Sequence, residues 1–144
     1  MSIWFEPLAD LDQLTAGGAH CMNGVLGIRF TGQGDDWLRA AMPVGPRTHQ
    51  PFGRLHGGAS VVLAETVCST AAQLCVDRAR LVAVGQEINA NHVRPVRDGE
   101  VHCTARAEAI GQRSHVWSFR IVDDADRLVC IGRMTAALID AQRA

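Results

Sequence analysis

A chain of 144 residues is long enough to bury one substantial core and short for two, so residues 1–144 read as a single domain. Hydrophobic residues make up 47% and charged residues 20%, a balance that excludes disordered and fibrous classes. The formal net charge is −1 and the densest charge cluster is Asp123, Asp124, Asp126 and Arg127, which excludes long-range steering toward nucleic acid or an anionic membrane.

The opening MSIWFEPLADLDQL carries no basic segment followed by an apolar one, and no run approaches the roughly 18 apolar residues that span a bilayer. The expected location is therefore cytoplasmic. Pro7 to Leu14 reads as a short amphipathic helix, with Pro in its first turn and Leu8, Leu11 and Leu14 at three-residue spacing. Asn23 to Thr31 and Trp37 to Val44 read as two strands, separated by the turn-rich GQGDD. A loop from Gly45 to Phe52 follows, punctuated by Pro46 and Pro51.

The next stretch, GRLHGGASVVLAETVCSTAAQLC, is long, apolar and rich in Ala and Leu, which favours helix over strand. Beyond Arg80 the pattern changes to period two, with Val101, Cys103, Ala105 and Ala107 alternating with His102, Thr104, Arg106 and Glu108. Four strands are expected, near 81–94, 100–110, 115–123 and 127–139, linked as an antiparallel meander. Asp98-Gly99 is the strongest hairpin signal, and Gly111-Gln112-Arg113 and Asp124-Ala125-Asp126 mark two further tight connections. One long helix amid about six antiparallel strands requires a sheet that curves around it, an α+β architecture whose residual apolar surface favours a dimer.

Five cysteines (Cys21, Cys68, Cys75, Cys103 and Cys130) are odd in number, widely spaced and without a CxxC pair. They read as small buried hydrophobes rather than a zinc site or disulfide framework. The histidines lack metal-ligand spacing, so no metal is expected.

Glu65 is the anomaly of the helix, since from Ala59 to Cys75 only Ser, Thr and Gln accompany it. A buried carboxylate without a partner is costly, so something must face it. Glu65 either occupies a solvent stripe or pairs with an arginine, or it serves as a catalytic base or nucleophile. Ser69 lies four residues on, on the same helical face, where its hydroxyl could hold water or simply bond back to the helix. Gly57 and Gly58 in the first turn each cost the helix about 1 kcal/mol relative to alanine. They mark either a plain loop junction or a close approach of ligand to free N–H groups at the positive helix end. Gly57 and Glu65 stand about 12 Å apart along one helix, too far to act on one carbonyl carbon. Two antiparallel helices across a two-fold axis would bring Glu65 of one chain to Gly57 of the other.

Taken in order and at their separations, MPVGPRTHQPFGRLHGGASVVLAE, EINANHVRPVRDG and GQRSHVW resemble the hotdog-fold acyl-CoA thioesterases of the 4-hydroxybenzoyl-CoA type. Within that family the likeness is strongest to the bacterial dihydroxynaphthoyl-CoA and enterobactin-pathway proofreading branches, and it covers nearly the whole chain. The resemblance implies a hotdog fold, a homodimer or dimer of dimers, and hydrolysis of an acyl-CoA to a carboxylate and CoA, with no cofactor beyond the CoA of the substrate. It implies Glu65 as nucleophile or general base, Gly57 of the opposite subunit as oxyanion donor aided by His56, Gln50 as the amide that orients substrate and water, and Ser69 as the hydroxyl that positions water. For coenzyme A it implies His92 and the Arg113, Ser114, His115 turn; Arg94 and Arg97, which flank Pro95, are further candidates because arginine forks suit phosphate oxygens, and Pro95 and Gln112 depart from the family pattern. Phe52, Leu55 and Val62 are candidates to line an acyl pocket for an aryl or medium aliphatic group. Two other functions fit the fold: a hydratase or dehydratase on acyl thioesters, and a non-catalytic acyl-CoA sensor.

Overall fold

A computed structural model describes residues 1–7 and 10–144. In chain order it contains α1 (Leu11–Gly17), α2 (Met22–Leu26), β1 (Arg29–Gln33), β2 (Trp37–Pro43), α3 (Gly57–Leu74), β3 (Leu81–His92), β4 (Glu100–Ile110), β5 (Ser114–Asp123) and β6 (Leu128–Asp140). A short 3-10 turn, Ala141–Arg143, ends the chain.

The first helix starts later than Pro7. Asp10 is its N-cap, with Oδ1 accepting the N–H groups of Asp12 at 2.9 Å and Gln13 at 3.2 Å. The capping carboxylate decides the boundary, because it satisfies donors that a helix begun at Pro7 would leave elsewhere. Leu8 lies outside the described residues.

The expected strand from Asn23 is also corrected. Met22–Leu26 is helical and ends at Gly27, whose φ of 71° lets Ile28 N–H return to the Asn23 carbonyl at 2.9 Å. That left-handed glycine cap outweighs the apolar alternation that suggested a strand, so β1 begins only at Arg29.

The six strands form one antiparallel sheet in the order β1-β2-β4-β5-β6-β3. Only β4, β5 and β6 are a meander; β3 lies at the far edge, paired with β6 from Leu81↔Asp140 to His92↔Cys130. Asp98-Gly99 is therefore not a hairpin between β3 and β4. Gly99 does take φ of 76°, but its carbonyl accepts the N–H of Val44, and the chain enters β4 alongside β2. A turn dipeptide specifies a local backbone angle, whereas strand partners are chosen by which faces are buried.

α3 packs on β2 through β6 along one stripe: Ala59, Ser60, Leu63, Ala64, Val67, Cys68, Ala71 and Ala72 are all buried. These small residues let the helix approach the sheet closely. Against them stand Leu38, Met42, Val101, Cys103, Trp117, Phe119, Ile121 and Met134, and Trp4 from the N-terminal segment stacks on Trp117 at 6.2 Å. The opposite stripe of α3 (Val61, Val62, Glu65, Thr66, Ser69 and Thr70) is half-buried. Of the five cysteines expected to be buried, Cys68, Cys103 and Cys130 are buried and free, whereas Cys75 is half-buried and Cys21, at the N-cap of α2, is exposed; burial pushes the Cys75 thiol up to about 12.

His115 continues the inward series of Trp117, Phe119 and Ile121 on β5 and is only 1% exposed, and its Nδ1 has no partner among the described residues. It lines a cleft that Asp77 and Arg80 also border. Burial holds its pKa below the ordinary 6.5, against a smaller opposing contribution from the Gly111 backbone. The folded protein then binds fewer protons than the unfolded chain, so this contribution to stability is complete above 6.5 and is lost as pH falls toward the folded pKa. We expect the thermal midpoint of the wild type to fall more steeply below pH 6.5 than that of His115→Gln, measured by circular dichroism across a pH series. Parallel curves would show that His115 carries no such linkage.

Candidate active site

The loop before α3 is held at several points. His56 N–H donates to the Thr48 carbonyl at 2.7 Å, Leu55 N–H to Val96 at 2.8 Å, and Gln50 N–H to Arg54 at 2.7 Å. Gly53, at φ of 73°, closes the tight turn that carries Phe52 outward, where it is 81% exposed. The Gln50 side-chain oxygen accepts the Phe52 N–H at 2.5 Å. Its amide NH2 has no partner among the described residues and is left as a donor.

His56 is the N-cap of α3, accepting the Gly58 N–H on Nδ1 at 2.8 Å. A neutral imidazole accepting at Nδ1 carries its hydrogen on Nε2, so a second donor stands at this helix end. Among the described residues nothing accepts the N–H of Gly57. A Cβ at Gly57 would come within 2.8 Å of His92 Nε2, so glycine here admits the ring at the end of β3. His56, Gly57 and His92 are thus brought together at the positive end of the helix.

Glu65 lies elsewhere. With Met22, Asn23, Val62, Thr66, Ser69 and Thr70 it lines a cleft of about 400 Å³ on the half-buried stripe of α3. Ser69 shares this cleft, although its hydroxyl is turned to the Met134 sulfur at 3.7 Å. Asn23 meets Thr66 through Oδ1 and the threonine hydroxyl at 3.2 Å. Met22 and Asn23 were missed in the sequence because Asn23 read as the start of a strand; the Gly27 cap was the signal that would have placed them on a helix. Val62 lines this cleft, and both Val62 and Leu55 pack against the core.

The proposed coenzyme contacts are dispersed. Arg94 is exposed beside His92, with Nε donating to the Leu128 carbonyl at 3.3 Å. Arg113 and Ser114 are exposed at the β4–β5 turn, next to the cleft bordered by Leu81 at the opposite end of β3. His115 is buried, in phase with the inward residues of β5, and is among the residues that line that cleft. No group of three or more potential metal-ligating side chains occurs among the described residues.

The sequence profile of the thioesterase superfamily matches residues 52–130, the segment that carries the loop turn, α3, β3 to β5 and the start of β6. This chain belongs to the thioesterase superfamily. The thioesterase is 49% identical over 137 residues to the 1,4-dihydroxy-2-naphthoyl-CoA hydrolase of Escherichia coli, an alignment covering 95% of this chain and 99% of that protein. Its fold is similar to that of a solved variant of thioesterase PA1618 from Pseudomonas aeruginosa, with a TM-score of 0.95, 47% identity and coverage of 96% and 99%. Thioesterase HI1161 from Haemophilus influenzae superposes with a TM-score of 0.92 at 40% identity, covering 96% of each chain. A protein from Staphylococcus aureus, 35% identical, has been solved as separate alanine variants at a glutamate and at a glutamine 15 residues before it. The sheet and long helix are accordingly the hotdog fold, and thioester hydrolysis is the chemistry of this enzyme class.

Within one chain of the thioesterase the backbones of Gly57 and Glu65 stand about 12 Å apart along the axis of α3.

Proposed function

We propose that this thioesterase hydrolyses an acyl-CoA to the free acid and CoA at a site completed by a second copy of the chain. The observation that carries this reading is the separation on α3 of Glu65 from the unpaired N–H of Gly57. β3 is a strand of twelve residues with β6 as its only partner among the described residues, so its outer edge is free to meet the same strand of another copy. Antiparallel joining there would turn the two α3 helices head to tail and set Glu65 of one against Gly57 of the other. Two sites per dimer result.

At each site the Gly57 N–H, with His56 Nε2–H, stabilises the charge that develops on the thioester oxygen. The Glu65 carboxylate either attacks the acyl carbon, giving an anhydride that water opens, or removes a proton from the attacking water. The carbon–sulfur bond breaks, its electron pair leaves with sulfur, and the thiolate takes up a proton as CoA–SH. Gln50 NH2 orients the thioester and Ser69 turns from Met134 to hold the water. Gln50 and Glu65 keep the 15-residue spacing of the two positions altered in the Staphylococcus aureus protein. No metal or cofactor takes part.

His92 and Arg94 hold the coenzyme phosphates near the helix end, and the Arg113–Ser114 turn serves the same purpose on the other chain. An aromatic acyl group fits the Glu65 cleft, whose apolar Met22 and Val62 are joined by the polar Asn23, Thr66 and Thr70. The relationship to the Escherichia coli hydrolase supports the same class.

A thiol-release assay over benzoyl-, hydroxybenzoyl- and C4 to C12 acyl-CoAs tests the reading, with Glu65→Ala as control. Aromatic members are expected to turn over fastest. Release no faster than the control across the panel would overturn it, and hydration of an enoyl-CoA without thiol release would move the enzyme to the hydratases.

A further inference from the structure

Nothing among the described residues hydrogen-bonds to the Glu65 carboxylate, since Ser69 is turned to Met134 and Thr66 to Asn23. Its closest constraint is steric. A Cβ built on Gly85 of β3 would stand 2.5 Å from Glu65 Oε1 and 3.5 Å from the carboxyl carbon. Gly85 also begins a bulge: it pairs with Ala136 while Glu87 pairs with Thr135, leaving Gln86 without an opposite residue on β6. Bulges bend a strand and redirect what lies against it.

The glycine is not required by its own backbone. Positive φ among the glycines is confined to Gly27, Gly53 and Gly99, so alanine could adopt the backbone of Gly85 without strain. A glycine inside a strand weakens it, and the contact that a Cβ at this position would crowd is the Glu65 carboxylate.

We propose that Gly85 is a positioning residue for the hydrolysis: its bare Cα, at the bulge, gives the Glu65 carboxylate a seat against the β3 backbone and fixes where it points. The inference rests on the role proposed above for Glu65. An added methyl displaces the far end of a flexible side chain, which the fold tolerates and the reaction does not.

The test is a double-substitution cycle with benzoyl-CoA, or with the fastest panel member, comparing wild type, Gly85→Ala, Glu65→Asp and the double variant. Gly85→Ala is expected to lower kcat at least about tenfold, to change KM less than about threefold, and to leave the thermal midpoint equal or raised. Aspartate withdraws the carboxylate by about one bond length, roughly 1.5 Å. In the Glu65→Asp background the added methyl should therefore cost less than about twofold.

Unchanged kcat in Gly85→Ala overturns the proposal. So does an equal loss in both backgrounds, which would mark an effect on the strand or on subunit joining, or a midpoint lowered by more than about 5 °C, which would mark a structural glycine. Glu65→Ala is run alongside to separate the two levels. If it retains wild-type turnover, the assignment of Glu65 fails and the seat falls with it; if it is inactive while Gly85→Ala is not, only the seat fails.

Discussion

Glu65→Gln lowers kcat by at least about a hundredfold while binding of a non-hydrolysable acyl-CoA analogue changes less than about threefold. The substitution keeps the shape of the side chain and removes its charge and basicity, so the cleft formed with Met22, Val62 and Ser69 survives. A proton-accepting or attacking group contributes through the transition state, and its loss is expected in kcat rather than in ground-state binding. Stopped-flow thiol release and calorimetric titration measure the two quantities independently. Turnover within a few-fold of wild type would remove Glu65 from the chemistry, and a parallel loss of binding would make it a substrate-holding group.

The largest expected loss of stability follows Trp117→Ala. Trp117 is fully buried between α3 and the sheet and carries Trp4 on its face, with the rings 10° from parallel. Truncating such a ring costs about 3–5 kcal/mol, a third or more of the typical total for one domain. Trp4→Ala, at the rim of the core, should cost less because water and neighbouring side chains refill that site more easily. Trp117→Phe is a sharper comparison. The Trp117 Nε1–H is buried without an acceptor among the described residues, so phenylalanine removes an unsatisfied donor along with part of the ring, and the net cost should stay below about 1.5 kcal/mol. Urea unfolding of the three variants measures these differences as shifts in midpoint at constant slope. A Phe variant as unstable as the Ala variant would mean that the indole N–H has a partner.

The long helix and the four C-terminal strands were legible because length and period settle them: an eighteen-residue apolar run cannot be one strand, and alternation from Val101 to Ala107 cannot be helix. The N-terminal third was less so. Met22–Leu26 is short enough for either period to fit, and only the left-handed Gly27 separates the two. Topology failed at Asp98-Gly99, where the correct local angle was joined to the wrong partner strand. Glu65 was legible because a charge in an apolar helix has few explanations. Gly85 was not, since a glycine in a strand pattern looks the same whether it serves a bulge, a turn or a neighbouring carboxylate. The burial of His115 could have been read as well: it is two residues before Trp117 and four before Phe119, on the inward phase of β5.

The pairing of β3 with the final strand governs how the molecule can be made. During translation Leu81 emerges well before Asp140, the residue it must lie against, and at ordinary elongation rates the wait is on the order of several seconds. Throughout it the nascent β3 has both edges bare, and α3 has only part of its enclosure. The enclosure of α3 is thus completed only once β6 has been made, which makes the unfinished polypeptide a natural client for chaperones. A premature stop before Leu128 would leave a fragment that is prone to aggregate rather than a smaller enzyme.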